Sequence, residues 1–331
     1  MEIRKSISII IPNFNNRNLL KEYLPYTCGA IKNADTAYEI IIVDDCSTDG
    51  SVEFIKSDYP QAILVVNPET KGFCYTYNKG IEIARYELIL LLDAGIKLNP
   101  DYFEHQWKYF LRWDTFGVMG RIMDMEDDHI QEAAHVAKFN GFKLETDYFY
   151  YTNEDTDRLL TFYLSGANAL IDAEKLKKIG GFYELFSPFY CGDIDLCIRA
   201  WQLKWTCHYE HKAICRRQVP ASLKNHETEE KDKIINYRNG LYLHALHLSG
   251  FKLIAWYFQI TVTELLPKLI AGQTWVWESH KDLFKNKDNI KAYKERIKSL
   301  LQKNDSRKTI FNVVEKIRNS VKNKNLVSFK P

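Results

Sequence analysis

The sequence lacks the features that mark several large protein classes. Its 15 glycines and nine prolines in 331 residues are too few for a collagen-like or low-complexity architecture. Its seven cysteines include no C-x-x-C pair, so we expect small buried thiols in a reducing cytosol rather than a disulfide framework or a zinc ribbon. No run of 18 apolar residues occurs, so no segment is expected to span a bilayer. Residues 3–11 lead into Pro12 and Asn13 rather than a cleavage site, so we expect no secretion signal.

Two common nucleotide-binding motifs are also missing. Neither G-x-G-x-x-G after a strand nor G-x-x-x-x-G-K-[ST] occurs, which argues against a dinucleotide dehydrogenase and a P-loop enzyme. Hydrophobic residues make up 46% of the chain, enough for a sizeable core, and the charged fraction of 27% is ordinary. The length fits two domains or one large α/β domain with an extension.

The net charge of +2 hides an uneven distribution. Residues 281–331 hold 15 Lys and Arg against five Asp and Glu, whereas the preceding 280 residues are acidic. A basic tail on an acidic body indicates contact with something anionic, such as a lipid surface or nucleic acid. A solvated helical face is the plain alternative. The tail lacks regular aromatic residues, so we expect no nucleic-acid partner.

An interrupted apolar segment precedes that tail. Residues 251–266 are mostly apolar but are interrupted by Lys252, Gln259 and Glu264, and Pro267 is expected to end the helix that they form. Trp275 and Trp277 follow closely. This combination is typical of a helix lying in a membrane interface, although helices that cover a core can look the same.

Short, β-branched apolar runs alternate with helix-like stretches in the first hundred residues. The runs cover residues 6–12, 38–43, 62–66 and 88–92, with helices expected at about 17–33 and 78–85. Strands that are apolar throughout are buried on both faces of a parallel sheet, so the pattern predicts a doubly wound α/β fold. Ligands of such sheets bind outside the carboxyl ends of the strands.

Carboxylates stand where such a ligand would bind. Asp44 and Asp45 follow the second predicted strand, and Asp93 follows the fourth. Farther along, Asp193 and Asp195 are expected in the first turn of a helix, where the helix dipole favours negative charge. Their positions make these five residues candidates for ligand binding or catalysis.

Several short motifs occur in a fixed order along residues 6–220. They are Pro12-Asn13-Phe14-Asn15, Ile42-Val43-Asp44-Asp45-Cys46-Ser47-Thr48-Asp49-Gly50, Asn67 with Lys71-Gly72-Phe73, Asn78-Lys79-Gly80, Leu92-Asp93, Asn99-Pro100-Asp101, Ser165-Gly166-Ala167, Gly180-Gly181-Phe182-Tyr183-Glu184 and Asp193-Ile194-Asp195-Leu196-Cys197-Ile198-Arg199. Each motif is weak alone, but the ordered set resembles family 2 glycosyltransferases of the GT-A fold. The most similar members are bacterial enzymes that add sugars to cell-envelope polysaccharides.

The resemblance implies both an architecture and an activity. A GT-A domain would occupy residues 1–225, with a nucleotide-binding half (1–100) and an acceptor and catalytic half (101–225), and a helical basic extension would follow (226–331). The activity would be inverting transfer of a sugar from a nucleoside-diphosphate-sugar to a glycan or a polyprenyl-linked glycolipid. The alternative is a catalytically degenerate protein that binds a nucleotide-sugar or a partner enzyme. We expect the acceptor to be chosen by loops at about 120–160.

The resemblance also assigns roles to residues. Asp193 would be the general base, which takes the proton from an acceptor hydroxyl as that hydroxyl attacks the anomeric carbon. Asp45 would accept a hydrogen bond from the nucleotide base, in a cleft lined by Pro12 and Asn13. Asp195 would either bind the donor or only orient the segment that carries it. The predicted donor-binding residues are Pro12, Asn13, Asp44, Asp45, Lys71, Asp93, Asp195 and Arg238.

The sequence departs from the family pattern where a metal is usually bound. The family ends its fourth strand with Asp-x-Asp, but Gly95 replaces the second Asp here. The His that many members carry near residues 213–218 is absent, and Arg216 and Arg217 stand there instead. Arginine pairs with phosphate oxygens through two parallel hydrogen bonds, so we expect one of these arginines to replace part of the metal's role. Asp93 alone could still hold Mg²⁺ or Mn²⁺.

The basic tail and the tryptophans complete the expectation about location. A polyprenyl-linked acceptor sits in the cytoplasmic membrane, so the resemblance places the protein on the inner face of that membrane, as a peripheral protein. The segment containing Trp275 and Trp277 and the tail would contact the anionic lipid surface.

Overall fold

The computed structural model describes residues 4–152, 158–218 and 226–329. The strands in this part of the chain are β1 (Ile7–Asn13), β2 (Tyr38–Asp44), β3 (Ile63–Val66), β4 (Leu88–Leu92), β5 (Ile96–Leu98), β6 (Thr115–Asp124), β7 (Ile130–Glu132), β8 (Ala134–Asn140), β9 (Lys143–Tyr151), β10 (Leu159–Leu160), β11 (Asn168–Asp172), β12 (Thr206–Arg217) and β13 (Val327–Phe329). The helices are α1 (Arg17–Asn33), α2 (Ser51–Asp58), α3 (Phe73–Ile83), α4 (Ala173–Lys178), α5 (Gly192–Gln202), α6 (His226–His247), α7 (Gly250–Ile260), α8 (Leu266–Ile270), α9 (Trp275–Lys285), α10 (Lys287–Lys303) and α11 (Ile310–Val321).

The central sheet is mostly parallel, as the sequence predicts. Its main path runs β10-β12-β6-β11-β4-β1-β2-β3, and β5 and β7 pair at its margins. The neighbours β3, β2, β1 and β4 are parallel, as are β6 and β12, whereas β11 runs antiparallel between β4 and β6. The carboxyl ends of β1, β2 and β4 therefore open at one edge of the sheet.

Strands β1, β2 and β4 are buried on both faces, whereas β3 at the end of the sheet is only partly buried. Ile9 and Ile11 of β1 pack on one side of the sheet and Ile10 on the other, because side chains alternate along a strand. The predicted strand boundaries agree with the observed ones to within a residue or so. Helix α3 begins earlier than expected, directly after Gly72, because Cys74 and Tyr77 supply a buried face that the sequence pattern did not reveal.

The region expected to form acceptor loops is largely regular structure. Instead of open loops at 120–160, β6, β7, β8 and β9 occupy most of this segment, and β8 and β9 form a hairpin that β13 joins. The hairpin is stable because its apolar side chains, including Phe149 and Tyr150, are buried in the main core. The expectation of loops there is wrong.

The C-terminal helices share the core of the sheet. Leu241, Trp256, Ile290 and Val313 belong to the same continuous cluster of buried side chains as Ile10. Within the described residues, none of the helices is long and apolar enough to cross a membrane.

Pro267 does not end its helical segment. A π turn at Thr261–Leu265 leads directly into α8, which continues to Ile270. Proline is tolerated there because it lies in the first turn of α8, where its missing N–H is not needed for the helix.

All seven cysteines are free thiols. Five of them are buried and two are partly buried, as expected. None forms a disulfide, which agrees with the scattered spacing of the cysteines in the sequence.

Candidate active site

A hydrogen bond to the Asp44 side chain connects the carboxyl ends of β1 and β2. Its carboxylate accepts hydrogen bonds from Asn13 Nδ2 (2.7 Å) and from the Ser47 main-chain N–H (2.9 Å). Asp44 is completely enclosed, so it cannot contact a ligand as expected and instead supports the cleft floor. Asn13 keeps an unpaired, buried side-chain oxygen beside it.

Asp45 holds the segment that follows β3. Its carboxylate accepts hydrogen bonds from Asn67 Nδ2 (2.7 Å) and from the main-chain N–H groups of Lys71 (2.9 Å) and Gly72 (2.8 Å). The Lys71 N–H also lies 3.1 Å from the second carboxylate oxygen, so each oxygen of this buried side chain already accepts two contacts. The Lys71 ammonium itself is exposed and pairs with Glu69.

Asp93 lies at the end of β4 with its side chain exposed to the cleft. Its main-chain N–H donates to Ala167 O (3.0 Å), which places the Ser165-Gly166-Ala167 motif beside it. That motif has no room for a larger residue at position 166, because a Cβ atom there would lie 2.7 Å from the Phe73 ring.

Gly95 is fixed by close contact with the end of β12. A Cβ atom at position 95 would lie 2.7 Å from the Gln218 main-chain oxygen, and the Gln218 N–H donates to Gly95 O (3.0 Å). An aspartate therefore does not fit where the family pattern has its second metal-binding residue. No three His, Cys, Asp or Glu side chains in residues 4–152, 158–218 and 226–329 are placed to hold a metal ion. The described residues thus offer Mn²⁺ or Mg²⁺ no set of three such ligands, and Asp93 would have to share a metal with substrate phosphates.

Asp193 lies in the first turn of α5, as predicted. Its carboxylate accepts a hydrogen bond from the Ile194 main-chain N–H (2.9 Å), and the Gly166 main chain also favours its charged form and lowers its pKa. Burial and the nearby negative charge of Glu132 nevertheless raise the pKa of Asp193 from 3.8 to about 6. A carboxyl group with this pKa is ionised near neutral pH and is basic enough to accept a proton, as a general base requires.

The backbone leading to Asp193 is unusual. Tyr190 and Cys191 both have positive φ angles, 70° and 65°, which non-glycine residues rarely adopt. Two consecutive residues in this conformation turn the chain sharply into α5. Such conformations cluster at functional sites because the surrounding structure must hold them in place.

Glu132 is a site residue that the sequence reasoning missed. It ends β7 and accepts hydrogen bonds from Arg217 Nη2 (2.9 Å) and Ser165 Oγ (3.1 Å), while His135 Nε2 lies 3.3 Å from its other oxygen. Burial acts to raise the pKa of Glu132, but Arg217, His135 and Ser165 outweigh it and lower the pKa to about 2. Glu132 therefore stays ionised and fixes the Arg217 guanidinium. Its only sequence signal was a charged residue inside an apolar stretch.

Arg217 joins the Asp93 and Asp193 group, and Arg216 does not. The negative charges of Glu132 and Asp93 both act on the Arg217 guanidinium and favour its charged form. Adjacent residues of a strand point to opposite sides. The Arg216 guanidinium accordingly donates to Asp124 O (2.7 Å) and Asp127 O (2.7 Å) in the β6–β7 turn, away from this group.

Asp195 is a structural residue rather than a ligand-binding one. It is fully buried and accepts hydrogen bonds from Arg199 Nη2 (2.8 Å) and Tyr293 Oη (3.3 Å), and its second oxygen lies 2.9 Å from His247 Nε2. Side chains two positions apart on an α-helix point in directions that differ by about 200°, so Asp193 and Asp195 face nearly opposite sides of α5. Asp195 therefore does not bind the donor as expected. Its contacts with His247 and Tyr293 instead connect α5 to α6 and α10.

Arg238 and Asn239 of α6 hold the loop that precedes α5. Arg238 Nη2 donates to Ser187 O (2.7 Å), and Asn239 Nδ2 donates to Phe186 O and Phe189 O (both 2.7 Å). The Phe73 main-chain N–H donates to the main-chain oxygen of Pro188 in the same loop (2.8 Å). Arg238 is thus bound to the protein itself in this conformation, close to the segment that Asp45 holds.

The geometry brings Asp45, Asp93, Asp193 and Arg217 to one edge of a GT-A-like sheet. Residues 8–180, just over half of the chain, match the family model for glycosyl transferase family 2. The chain belongs to this family.

Bacterial transferases are among its relatives. Undecaprenyl-phosphate 4-deoxy-4-formamido-L-arabinose transferase of Pseudomonas syringae pv. syringae (strain B728a) is 30% identical over 129 residues, which are 38% of this chain and 37% of the relative. The putative teichuronic acid biosynthesis glycosyltransferase TuaG of Bacillus subtilis (strain 168) is 29% identical over 125 residues, 37% of this chain and 48% of that protein. The chain thus matches less than half the length of these relatives.

Solved structures of glycosyltransferases share the fold of this family 2 member. The mannosyltransferase PcManGT from Pyrobaculum calidifontis, in complex with GDP-Man and Mn²⁺, has a TM-score of 0.53 at 17% identity, over 95% of this chain and 88% of that one. S. aureus TarS 1–349 has a TM-score of 0.54 at 14% identity, over 95% and 92%. GalNAc-T7 with UDP, GalNAc and Mn²⁺ reaches 0.59 at 12% identity, over 76% and 50%. At these identities the likeness establishes the GT-A fold alone.

Proposed function

We propose that this family 2 member transfers a sugar from a nucleoside-diphosphate-sugar to a glycan or polyprenyl-linked acceptor, in the synthesis of a cell-surface polysaccharide or glycolipid. The family assignment supports the reaction class. The relatives named for undecaprenyl-phosphate and teichuronic acid chemistry support this class of acceptor.

The observation that carries the proposal is the carboxyl group of Asp193. It stands at the start of α5 with its pKa raised to about 6, and Glu132, whose charge acts on it, also holds the Arg217 guanidinium. In the proposed step the acceptor oxygen forms a bond to the anomeric carbon while its proton passes to Asp193. The bond from that carbon to the diphosphate oxygen breaks, and its electron pair leaves with the nucleoside diphosphate. A single displacement of this kind inverts the anomeric configuration.

Arg217 is the group that we assign to the leaving diphosphate. Negative charge grows on the diphosphate as the bond breaks, and a preorganised cation placed there lowers the barrier. Glu132 holds the guanidinium from one side through Nη2, and Gln131 Oε1 accepts from Nε (3.2 Å). We therefore propose that Arg217 supplies positive charge where the family pattern uses a metal.

The donor's nucleoside is proposed to lie along the ends of β1 and β2. Pro12 and Asn13 border this edge, and Asp45, which follows β2, is the residue that we assign to a base N–H. Lys71 lies next to it with an exposed ammonium. The base, the sugar and the linkage are not specified by these contacts.

Donor hydrolysis and product analysis test this function. Slow release of UDP or GDP from a nucleotide-sugar should depend on Asp193, and the variant Asp193→Asn should lose turnover while still binding the nucleoside diphosphate. An inverted anomeric configuration, read from the proton NMR coupling of the first product formed, would support the single displacement. If nucleotide binds but no release above the spontaneous rate occurs, the chain is instead a non-catalytic nucleotide-sugar-binding protein. Equal release by the unchanged protein and by Asp193→Asn would show that Asp193 is not the base.

A polyprenyl-linked acceptor would require the protein to work at the cytoplasmic face of a membrane. The excess of basic residues in 281–331 supports such a location, since anionic lipids attract clustered Lys and Arg.

A further inference from the structure

One helical segment carries an exposed apolar ridge. Residues 250–270 form a continuous helix made of α7, the π turn and α8. Six large apolar side chains on it are between 48% and 88% exposed: Phe251, Ile254, Phe258, Val262, Leu266 and Ile270. We call these six residues the ridge. Single exposed apolar residues are normal on a protein surface, but a contiguous row marks an interaction site.

The opposite side of the same segment is buried. Trp256, Ile260 and Leu265 lie in the protein interior, so the segment has one face fixed against the core and one face turned outward. Gln259 further anchors it, because its side chain accepts from Phe142 N–H (2.8 Å) and donates to Asn140 O (2.8 Å) at the tip of the β8–β9 hairpin. The ridge is therefore presented on a fixed element.

The π turn keeps the ridge on one side. An α-helix turns about 100° per residue, so Phe251 and Ile270, 19 residues apart, would point roughly 100° away from each other in an unbroken α-helix. A π turn accommodates about one additional residue, which rotates the later part back by a similar angle. The turn at Thr261–Leu265 lies between the two halves of the ridge and aligns them.

The charges around the ridge are positive. Glu264 is the only acidic residue between positions 248 and 277, and Lys143 Nζ neutralises it at 2.6 Å. Lys252 and Lys268 belong to the same helical segment.

The exposed side of α9 continues the same surface. Phe284 contacts Tyr257 of α7 edge to face, with ring centroids 5.8 Å apart. The exposed side chains Lys281 and Lys285 stand on either side of Phe284, and Lys281 pairs with Glu278 at 2.8 Å, which leaves Lys285, within the described residues, as the uncompensated charge beside Phe284.

We infer that the ridge is a docking surface for an anionic lipid membrane, in which the 250–270 helix lies parallel to the bilayer plane. The ridge side chains enter the region between head groups and acyl chains, and the surrounding lysines contact the anionic head groups. An apolar face bordered by lysines, on a helix too polar overall to cross a bilayer, has the chemistry of an interfacial helix. An apolar surface for a protein partner does not by itself call for a positive border.

Vesicle co-sedimentation of the full chain tests the inference without any sugar donor, so its outcome is independent of the proposed function. We expect binding to vesicles of phosphatidylcholine mixed with phosphatidylglycerol, and much weaker binding to phosphatidylcholine alone. The variant Ile254→Ser/Phe258→Ser/Ile270→Ser should weaken partitioning about tenfold or more, because three large apolar side chains would no longer be buried in the bilayer.

A matched control removes exposed apolar side chains elsewhere. Leu111 and Trp113 are 60% and 78% exposed, and the variant Leu111→Ser/Trp113→Ser should bind vesicles like the unchanged protein. Circular dichroism and thermal unfolding establish that both variants are folded.

Three results would overturn the inference. They are equal vesicle binding by the ridge variant and the unchanged protein, equal binding to both vesicle types, or self-association in sedimentation velocity that the ridge variant abolishes without any lipid binding.

Discussion

Replacing Asp193 by asparagine should make the protein more stable at neutral pH while removing its activity. In an unfolded chain this carboxyl group loses its proton near pH 3.8, but in the folded protein its pKa is about 6 because of burial and the charge of Glu132. Above pH 6 the folded state must therefore hold a charge in an unfavourable place. This destabilisation is complete at pH 7, decreases as the pH falls through 6, and is absent below about 3.8.

The size of the effect follows from the pKa shift. A shift of one pKa unit corresponds to about 1.36 kcal/mol, so the shift of Asp193 corresponds to about 3 kcal/mol at most. The side chain is only half-buried and water screens it, so we expect about 1–2 kcal/mol for Asp193→Asn at pH 7. The asparagine oxygen still accepts from Ile194 N–H. A gain of this size raises Tm by roughly 1–3 °C in a protein of this length.

Thermal unfolding at pH 7 and pH 4, without ligand, measures this difference. Asp193→Asn should melt above the unchanged protein at pH 7, and most of the gap should close at pH 4. Asp195→Asn is the matched control, because Arg199 and His247 favour the charged form of Asp195 and lower its pKa. It should lower stability at pH 7 by about 3–5 kcal/mol, since it leaves a buried arginine without its partner. If the Tm of Asp193→Asn at pH 7 equals or lies below that of the unchanged protein, the conclusion that Asp193 carries a destabilising charge is refuted.

Three further predictions concern the same site. The value of kcat/KM should fall about tenfold per pH unit below 6 as Asp193 takes up a proton. Glu132→Gln should shift this fall to lower pH, because it removes the negative charge that helps to raise the pKa of Asp193; a fall at the same pH would contradict the electrostatic coupling of Glu132 and Asp193. Arg217→Ala should reduce turnover in EDTA-treated enzyme at least about a hundredfold, whereas Arg216→Ala should change it little; full loss on chelation with recovery in Mn²⁺ would contradict the role of Arg217. Gly95→Asp should lower Tm and create no metal dependence, because its Cβ atom would lie 2.7 Å from the Gln218 main-chain oxygen. A stable variant that Mn²⁺ activates would show instead that the main chain moves to make room for the side chain.

The parallel half of the fold could be predicted because its signal is local. Strands β1, β2 and β4 are almost continuous apolar runs, and such runs are typical of strands that a parallel sheet buries on both faces. The hairpin of β8 and β9 could not be predicted, since its residues are mixed in polarity and are buried only by contacts with helices far away in the sequence.

The candidate site shows the same limit. The sequence places Asp193 and Asp195 in one helical turn, but which of them faces the cleft depends on how α5 packs, and Arg199 and His247 settle that in favour of Asp193. Glu132 comes from a separate strand and carries no motif, so only the fold brings it to Asp193. For Asp45 the sequence identifies the position but not its three bonds to the segment that follows β3.

The bond between Asp195 and the C-terminal helices has a consequence for engineering. His247 and Tyr293 reach α5 from two different helices, so the helix that begins with Asp193 is held partly by residues long after it in the chain. A chimera that grafts this protein's first 225 residues onto a foreign C-terminal half would leave Asp195 and Arg199 facing mismatched neighbours. Exchanges of specificity between relatives should therefore transplant α5, α6 and α10 as one block.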